Sequence, residues 1–174
     1  MKFLNIFIAL LLFTSFAHAE NLVPRNALNG KVSLLTPENF GPMPQDILEL
    51  KYPSSRRPTE VLSDTTGGVT LAFNHTKNQM TPHQIKEAHA SISQMFHNLY
   101  PSAQWLRDET ITQNGQVFMV LELITPAIDT QIHNIMYGTS VDNRLLLVSF
   151  NTTIEQSAHW LPVGNKIMES LTIK

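Results

Sequence analysis

No cysteine occurs anywhere in the 174 residues. That absence excludes a disulfide framework, a cysteine nucleophile and any thiolate metal site. It also excludes a lipid anchor on an N-terminal cysteine. No uninterrupted apolar run reaches the roughly 20 residues that a membrane-spanning helix needs. Basic residues are few: 12 Lys and Arg stand against 14 Asp and Glu. Their only cluster is Arg56-Arg57, in a loop rich in Pro and Ser. Affinity for nucleic acid rests on grouped Lys and Arg, so nucleic acid is not an expected partner. The Gly-x-Ser-x-Gly elbow of hydrolases and the His-Glu-x-x-His pair of zinc peptidases are both missing. His83 and Glu87 lie four apart on an expected helix, where such pairs are ordinary surface neighbours.

The N-terminus carries a recognisable pattern. Lys2 precedes an apolar run from Phe3 to Phe16 that is broken only by Asn5, Thr14 and Ser15. Ala17-His18-Ala19 then places small residues where a signal peptidase reads them. Residues 1–19 are therefore expected to be a cleaved secretory signal, with the working chain starting at Glu20 in a bacterial periplasm and no membrane span after cleavage. Without Lys2 the balance is 11 basic against 14 acidic groups, a net charge of −3. About 155 residues remain, enough for one domain that buries about 70% of its unfolded surface. Polar residues 20–30 read as a flexible leader and 31–174 as that single domain.

Along the domain, Lys31 to Leu35 forms a first strand that Pro37 stops. A short helix is expected within Pro42 to Tyr52, opened by Pro44. Thr59 to Ser63 and Val69 to Asn74 make a hairpin about Gly67-Gly68. The clearest helix starts at Thr81, with Pro82 at its first position and Gln84 completing a capping box. Ile85, Ala88, Ile92, Phe96 and Leu99 give it one apolar stripe. Four strands follow: Gln104 to Thr112 and Val117 to Thr125 joined by Asn114-Gly115, then Gln131 to Val141 and Arg144 to Phe150 joined by Asp142-Asn143. Thr152-Thr153-Ile154-Glu155 reads as a second capping box. It opens a last helix whose Trp160, Val163, Ile167 and Leu171 share a face, with Pro162 expected to kink or divide it.

Two of these strands are apolar on both faces. In one, Val117, Met119, Leu121 and Leu123 alternate with Phe118, Val120 and Ile124; in the other, Leu145 and Leu147 alternate with Leu146, Val148 and Phe150. Such strands must be covered on both sides. The expected fold is α+β, an antiparallel β-sheet covered by helices on both faces. Gly30-Lys31-Val32-Ser33-Leu34-Leu35-Thr36-Pro37 resembles the opening strand-then-proline of PsbP-like and DcrB-like proteins. The long helix, the antiparallel strands and a last helix closing on Glu169-Ser170-Leu171 are similar too. This resemblance implies the α/β/α sandwich shared with Mog-type nuclear transport factors. It also implies a non-enzymatic accessory or binding role, as for the extrinsic photosystem subunit and chaperones of secretion effectors. It carries over no site residues, because the family has no shared catalytic signature.

Strand register supplies the residue-level expectation. A two-residue turn at Asn114-Gly115 sets Arg107 opposite Glu122, and one at Asp142-Asn143 sets Asn134 opposite Asn151. If the connection Pro126 to Thr130 is symmetric, Glu122 also faces Asn134, and Arg107, Glu122, Asn134 and Asn151 form one polar row. Such a row is either a set of mutually satisfied buried groups or the floor of a ligand or peptide groove. Trp105, near a strand start, is the aromatic best placed to join a binding surface; Trp160 belongs to the core. The function expected is an exported, non-enzymatic module that binds another protein, as an accessory subunit of an envelope complex or an effector-neutralising immunity-type protein. The alternative is a periplasmic small-ligand binder or hydrolase using the polar row. No catalytic residue, metal or cofactor is expected.

Overall fold

The computed structural model describes residues 20–54 and 57–174; the expected signal segment lies outside them. Its elements run β1 (Leu22–Ala27), β2 (Val32–Pro37), β3 (Gly41–Pro42), α1 (Gln45–Lys51), β4 (Glu60–Ser63), β5 (Thr70–Gln79), α2 (Ile85–Leu99), β6 (Gln104–Gln113), β7 (Gln116–Pro126), β8 (Gln131–Val141), β9 (Arg144–Thr153), α3 (Ser157–Glu169) and β10 (Thr172–Ile173). Single 3-10 turns, Pro82–Gln84 and Ile154–Gln156, lead into α2 and α3. Seven strands form one antiparallel sheet in the order β3-β4-β5-β9-β8-β7-β6, and β1-β2-β10 form a separate one.

Local chemistry sets the tight turns. Asn114 and Gly115 have φ of 51° and 75°, and Asp142 and Asn143 have 51° and 55°. Two successive positive φ values match the right-handed twist of the strands they join. Long ladders follow from Gln113↔Gln116 and from Val141↔Arg144.

Alternation then sorts the core into two layers. Phe118, Val120, Ile135, Tyr137, Val148 and Phe150 pack against Trp160, Val163, Ile167 and Met168 of α3, and the small sheet adds Ala27, Val32 and Leu34 to that layer. On the opposite face Leu121, Leu123 and Met136 meet Phe96 of α2, while Met119 and Leu145 meet its Ile85. Further along that face, Ile47 and Leu48 of α1 pack with Val61 and Ala72. The fold is thus the α+β sandwich expected, with helices on both faces. Each large apolar side chain so buried contributes about 1.5–3 kcal/mol.

Several local expectations are corrected. Segment 20–30 is no flexible leader: β1 pairs with β2 from Leu22↔Pro37 to Ala27↔Val32. Pro24 and the polar pair Arg25-Asn26 hid the strand, yet Arg25 is itself anchored, donating to the Phe40 carbonyl at 2.7 Å and to Thr36 Oγ1 at 3.1 Å. The capping box at Thr81 does form in part, the Thr81 N–H donating to Gln84 Oε1 at 2.8 Å. The one expected at Thr152 does not, because β9 continues to Thr153 and buries Thr152. Glu155 instead accepts the Thr130 hydroxyl at 2.8 Å. α3 runs unbroken through Pro162. The hydrogen bond that proline forfeits would have ended on Ala158, in the opening turn, and packing of Trp160 and Val163 holds the helix there. Leu99 is 61% exposed because it lies at the helix's last residue, away from the apolar layer.

Gly164 is where α3 comes nearest the sheet. A Cβ built there would lie 2.4 Å from Phe150 Cδ1 and Cε1. Alanine should gain about 1 kcal/mol of helix propensity but lose more by forcing the fully buried Phe150 aside. Gly164→Ala is expected to lower stability in urea unfolding by a net of about 1–3 kcal/mol; equal or higher stability would contradict this packing.

Candidate functional site

Register decides where the polar residues go. Arg107 does pair with Glu122, and Asn134 with Asn151. The β7–β8 pairing, however, is Glu122↔Ile135 and Leu123↔Asn134. β7 extends to Pro126, which pairs with Gln131, so four residues rather than five lie between the strands. That shift of one residue divides the expected row between the two sheet faces. A second irregularity, a bulge at Leu106, sets Trp105 opposite Leu123 rather than Ile124.

On the α3 face, Glu122 takes a different partner from the one its register neighbour suggested. His133 Nε2 lies 2.7 Å from Glu122 Oε1, and the two side chains are only 6% and 14% exposed. Arg107 turns instead to Glu109, 2.8 Å away, in a half-exposed pair. On the α2 face, Trp105 is partly covered and stacks on His97 with ring centres 3.8 Å apart. Beside it, Asp108 gathers three donors from α2: Ser93 Oγ at 2.5 Å, His89 Nε2 at 2.7 Å and His97 Nε2 at 3.3 Å. These contacts fasten α2 to the outermost strand. Among the described residues, no group of three or more His, Asp or Glu is arranged to hold a metal ion.

Asn134 and Asn151, by contrast, reach open space. They lie on the floor of a cleft of about 770 Å³ between the C-terminal end of α1 and the β7–β8 loop. Asn134 Nδ2 is committed to the Ile132 carbonyl at 2.9 Å, Thr125 Oγ1 at 3.1 Å and the Leu123 carbonyl at 3.2 Å. Asn151 Nδ2 donates to Thr70 Oγ1 at 3.1 Å. With both amide nitrogens turned to the protein, both Oδ1 atoms are left as acceptors, with no hydrogen bond to any described residue. The rim is apolar: Leu50 is 82% exposed and Ile128 fully exposed, one from each wall. The arrangement offers acceptors below and aliphatic grips above, which suits a backbone N–H flanked by an apolar side chain.

Sequence reasoning reached the amide floor but missed the rim. Leu50 lies about 200° around the helix from Leu48 but only about 60° from Ile47, so helical spacing alone did not mark it as exposed. Ile128 is the one large aliphatic in the four-residue turn Ala127-Ile128-Asp129-Thr130, a signal open to notice.

No protein-family model and no curated protein sequence matches the chain. Among solved structures it is similar to cyanobacterial PsbP (CyanoP) from Synechocystis, with a TM-score of 0.62 and 12% identity over 90% of this chain and 94% of that one. It is also similar to LpqN of Mycobacterium tuberculosis, a protein involved in cell envelope biogenesis. That match has a TM-score of 0.51 and 13% identity over 88% and 91% of the two chains. At such identities the likeness is one of fold. The chain has the PsbP-like fold.

Two outcomes follow from these contacts. Removing His133 strands a largely buried carboxylate, so His133→Ala should cost about 3–5 kcal/mol in denaturant unfolding, whereas Arg107→Ala, at a half-exposed pair, should cost about 1 kcal/mol or less. Similar losses from both would contradict the pairing.

The second concerns acid. Burial alone would raise the Asp108 carboxyl, but hydrogen bonds from Ser93, His97 and His89 outweigh it and hold the group below its ordinary range. The stabilisation is therefore complete above about pH 4 and is lost as pH falls through the lowered value. Urea unfolding followed from about pH 6 down to about pH 2 should show Asp108→Asn with a shallower acid-side fall than the parent protein.

Proposed function

We infer that this is an exported, non-enzymatic interaction module of the cell envelope, and that it takes a segment of a partner protein into the cleft between α1 and the β7–β8 loop. The carrying observation is the pairing of two outward amide acceptors, on Asn134 and Asn151, with two exposed aliphatic walls, Leu50 and Ile128. Isolated exposed aliphatics are common on protein surfaces; two that face one another over a polar floor make a grip. The N-terminal pattern supports export, and the likeness to LpqN, involved in cell envelope biogenesis, supports an envelope setting. No described helix is long and apolar enough to cross a membrane.

An accessory subunit of an envelope complex and an effector-neutralising immunity-type protein would both use such a surface. The identity of the captured protein separates them. The small-ligand or hydrolase reading loses its support, because the polar row it needed is divided between two faces.

A photoreactive side chain placed at position 128 should cross-link one defined envelope protein in living cells. The same probe at position 169, an exposed site on α3, should not. Leu50→Asp should abolish the position-128 cross-link while changing stability by no more than about 0.5 kcal/mol. Equal labelling from both positions would refute the cleft as the contact.

A further inference from the structure

β5 is ten residues long, but β4 pairs with only its first four, ending at Glu60↔Phe73. Thr59 adds two more contacts to that edge. Its N–H donates to the Phe73 carbonyl at 2.7 Å, and its Oγ1 accepts the His75 N–H at 3.1 Å. Pro58, with no N–H to give, ends the possibility of further pairing. Past this point no described strand lies along the outer side of β5.

A groove of about 620 Å³ occupies that position. It is lined by five consecutive residues of β5, Asn74 to Asn78, together with Arg57 and Thr59. Side chains leave a strand on alternate faces, and between His75 and Gln79 the register against β9 shifts, so Thr76 to Asn78 form a bulge; the groove follows the outer edge of β5 through that bulge. The strand is held in place from its other side, where Thr76 Oγ1 donates to the Leu145 carbonyl at 3.0 Å and accepts the Asn78 N–H at 3.2 Å.

The charge along this edge has one sign. Arg57 and Lys77 line the groove, and no carboxylate is among its lining residues. Behind it Arg144 donates to His75 Nδ1 at 2.9 Å, and His75 Nε2 donates to the Val141 carbonyl at 2.9 Å. Two carboxylates lie behind this edge and outside the groove: Glu60 accepts the Leu28 N–H at 2.9 Å, and Asp142 pairs with Lys31 and interacts with Arg144 and His75. A lysine and a bulge on an edge strand guard against indiscriminate pairing. Here they also select by charge.

We propose that the outer edge of β5, from Asn74 to Asn78, receives an extended acidic segment of another protein as an added strand, with Arg57 and Lys77 pairing its carboxylates. With the His75 N–H held by Thr59 and the Asn78 N–H by Thr76, the main chain between them supplies the pairing and the two cations the selectivity, as in other strand-addition sites. This contact is separate from the α1 cleft and shares no residue with it.

The test titrates the full processed protein with a blocked peptide of about eight residues alternating glutamate and valine, followed by calorimetry at low and high salt. Salt-sensitive binding is expected, weakened about tenfold by Lys77→Glu or Arg57→Glu and unchanged by Ile128→Asp. Circular dichroism checks that each variant remains folded. A peptide of the same charge, N-methylated at alternate residues so that it cannot pair as a strand, should not bind, nor should its lysine-valine counterpart. Failure of the glutamate peptide to bind would overturn the proposal. Equal binding of the N-methylated peptide or of a single-stranded oligonucleotide would also overturn it, as would displacement of the peptide by inorganic phosphate, which would assign the groove to small anions.

Discussion

The central strands β7 and β9 are apolar on both faces, and most of the remaining structure is arranged to keep water from them. One face alone cannot be sealed by a single helix, because the exposed width spans several strands at close to 5 Å each. α3 therefore shares its side with the small β1-β2-β10 sheet, and α2 shares the other with α1. The chain ends cooperate in this. Ser170, just past α3, accepts the Leu35 N–H at 2.8 Å, and Gln113 donates to the Met168 and Leu171 carbonyls. The first and last segments of the domain are thereby tied into one cover.

Against that demand, the handling of polar groups turns on a single residue of register. With Pro126 paired to Gln131, Glu122 and Asn134 go to opposite faces. Glu122 then enters the α3 side, where burial requires a partner and His133 provides it. Asn134 goes to the α2 side, beyond the reach of α2, where the sheet is left uncovered between α1 and the β7–β8 loop. The same shift that makes one polar residue structural thus makes another available for contact.

A sandwich of this kind leaves little room for a ligand in its interior, since both layers are filled by apolar side chains. Surfaces open for recognition are the gaps between covering elements and the unpaired strand edges. The cleft beside α1 is the first sort and the outer side of β5 the second. They differ in chemistry, the former apolar at its rim with amide acceptors below, the latter cationic and lined by main chain. Cyanobacterial PsbP shares the fold at 12% identity, a level at which side chains at such margins are free to differ while the layers persist.

Much of the fold could be read from the residues directly, because its signals are local. Asn114-Gly115 and Asp142-Asn143 specify turns by their tolerance of positive φ, and doubly apolar strands require cover on both sides. The stripe on α2 and the face of α3 carry helical periodicity that no other conformation would use. What only the tertiary structure decided was non-local. The β7–β8 connection contains no turn signal as definite as Asn-Gly, so its pairing depends on how far β7 persists, and that in turn depends on packing. β1 contains Pro24, Arg25 and Asn26, lies among polar neighbours, and is held as a strand by β2 and the Phe40 carbonyl. Leu50 and Ile128 gain meaning only when α1 and the β7–β8 loop, 77 residues apart from Lys51 to Ile128 along the chain, are brought together over Asn134 and Asn151.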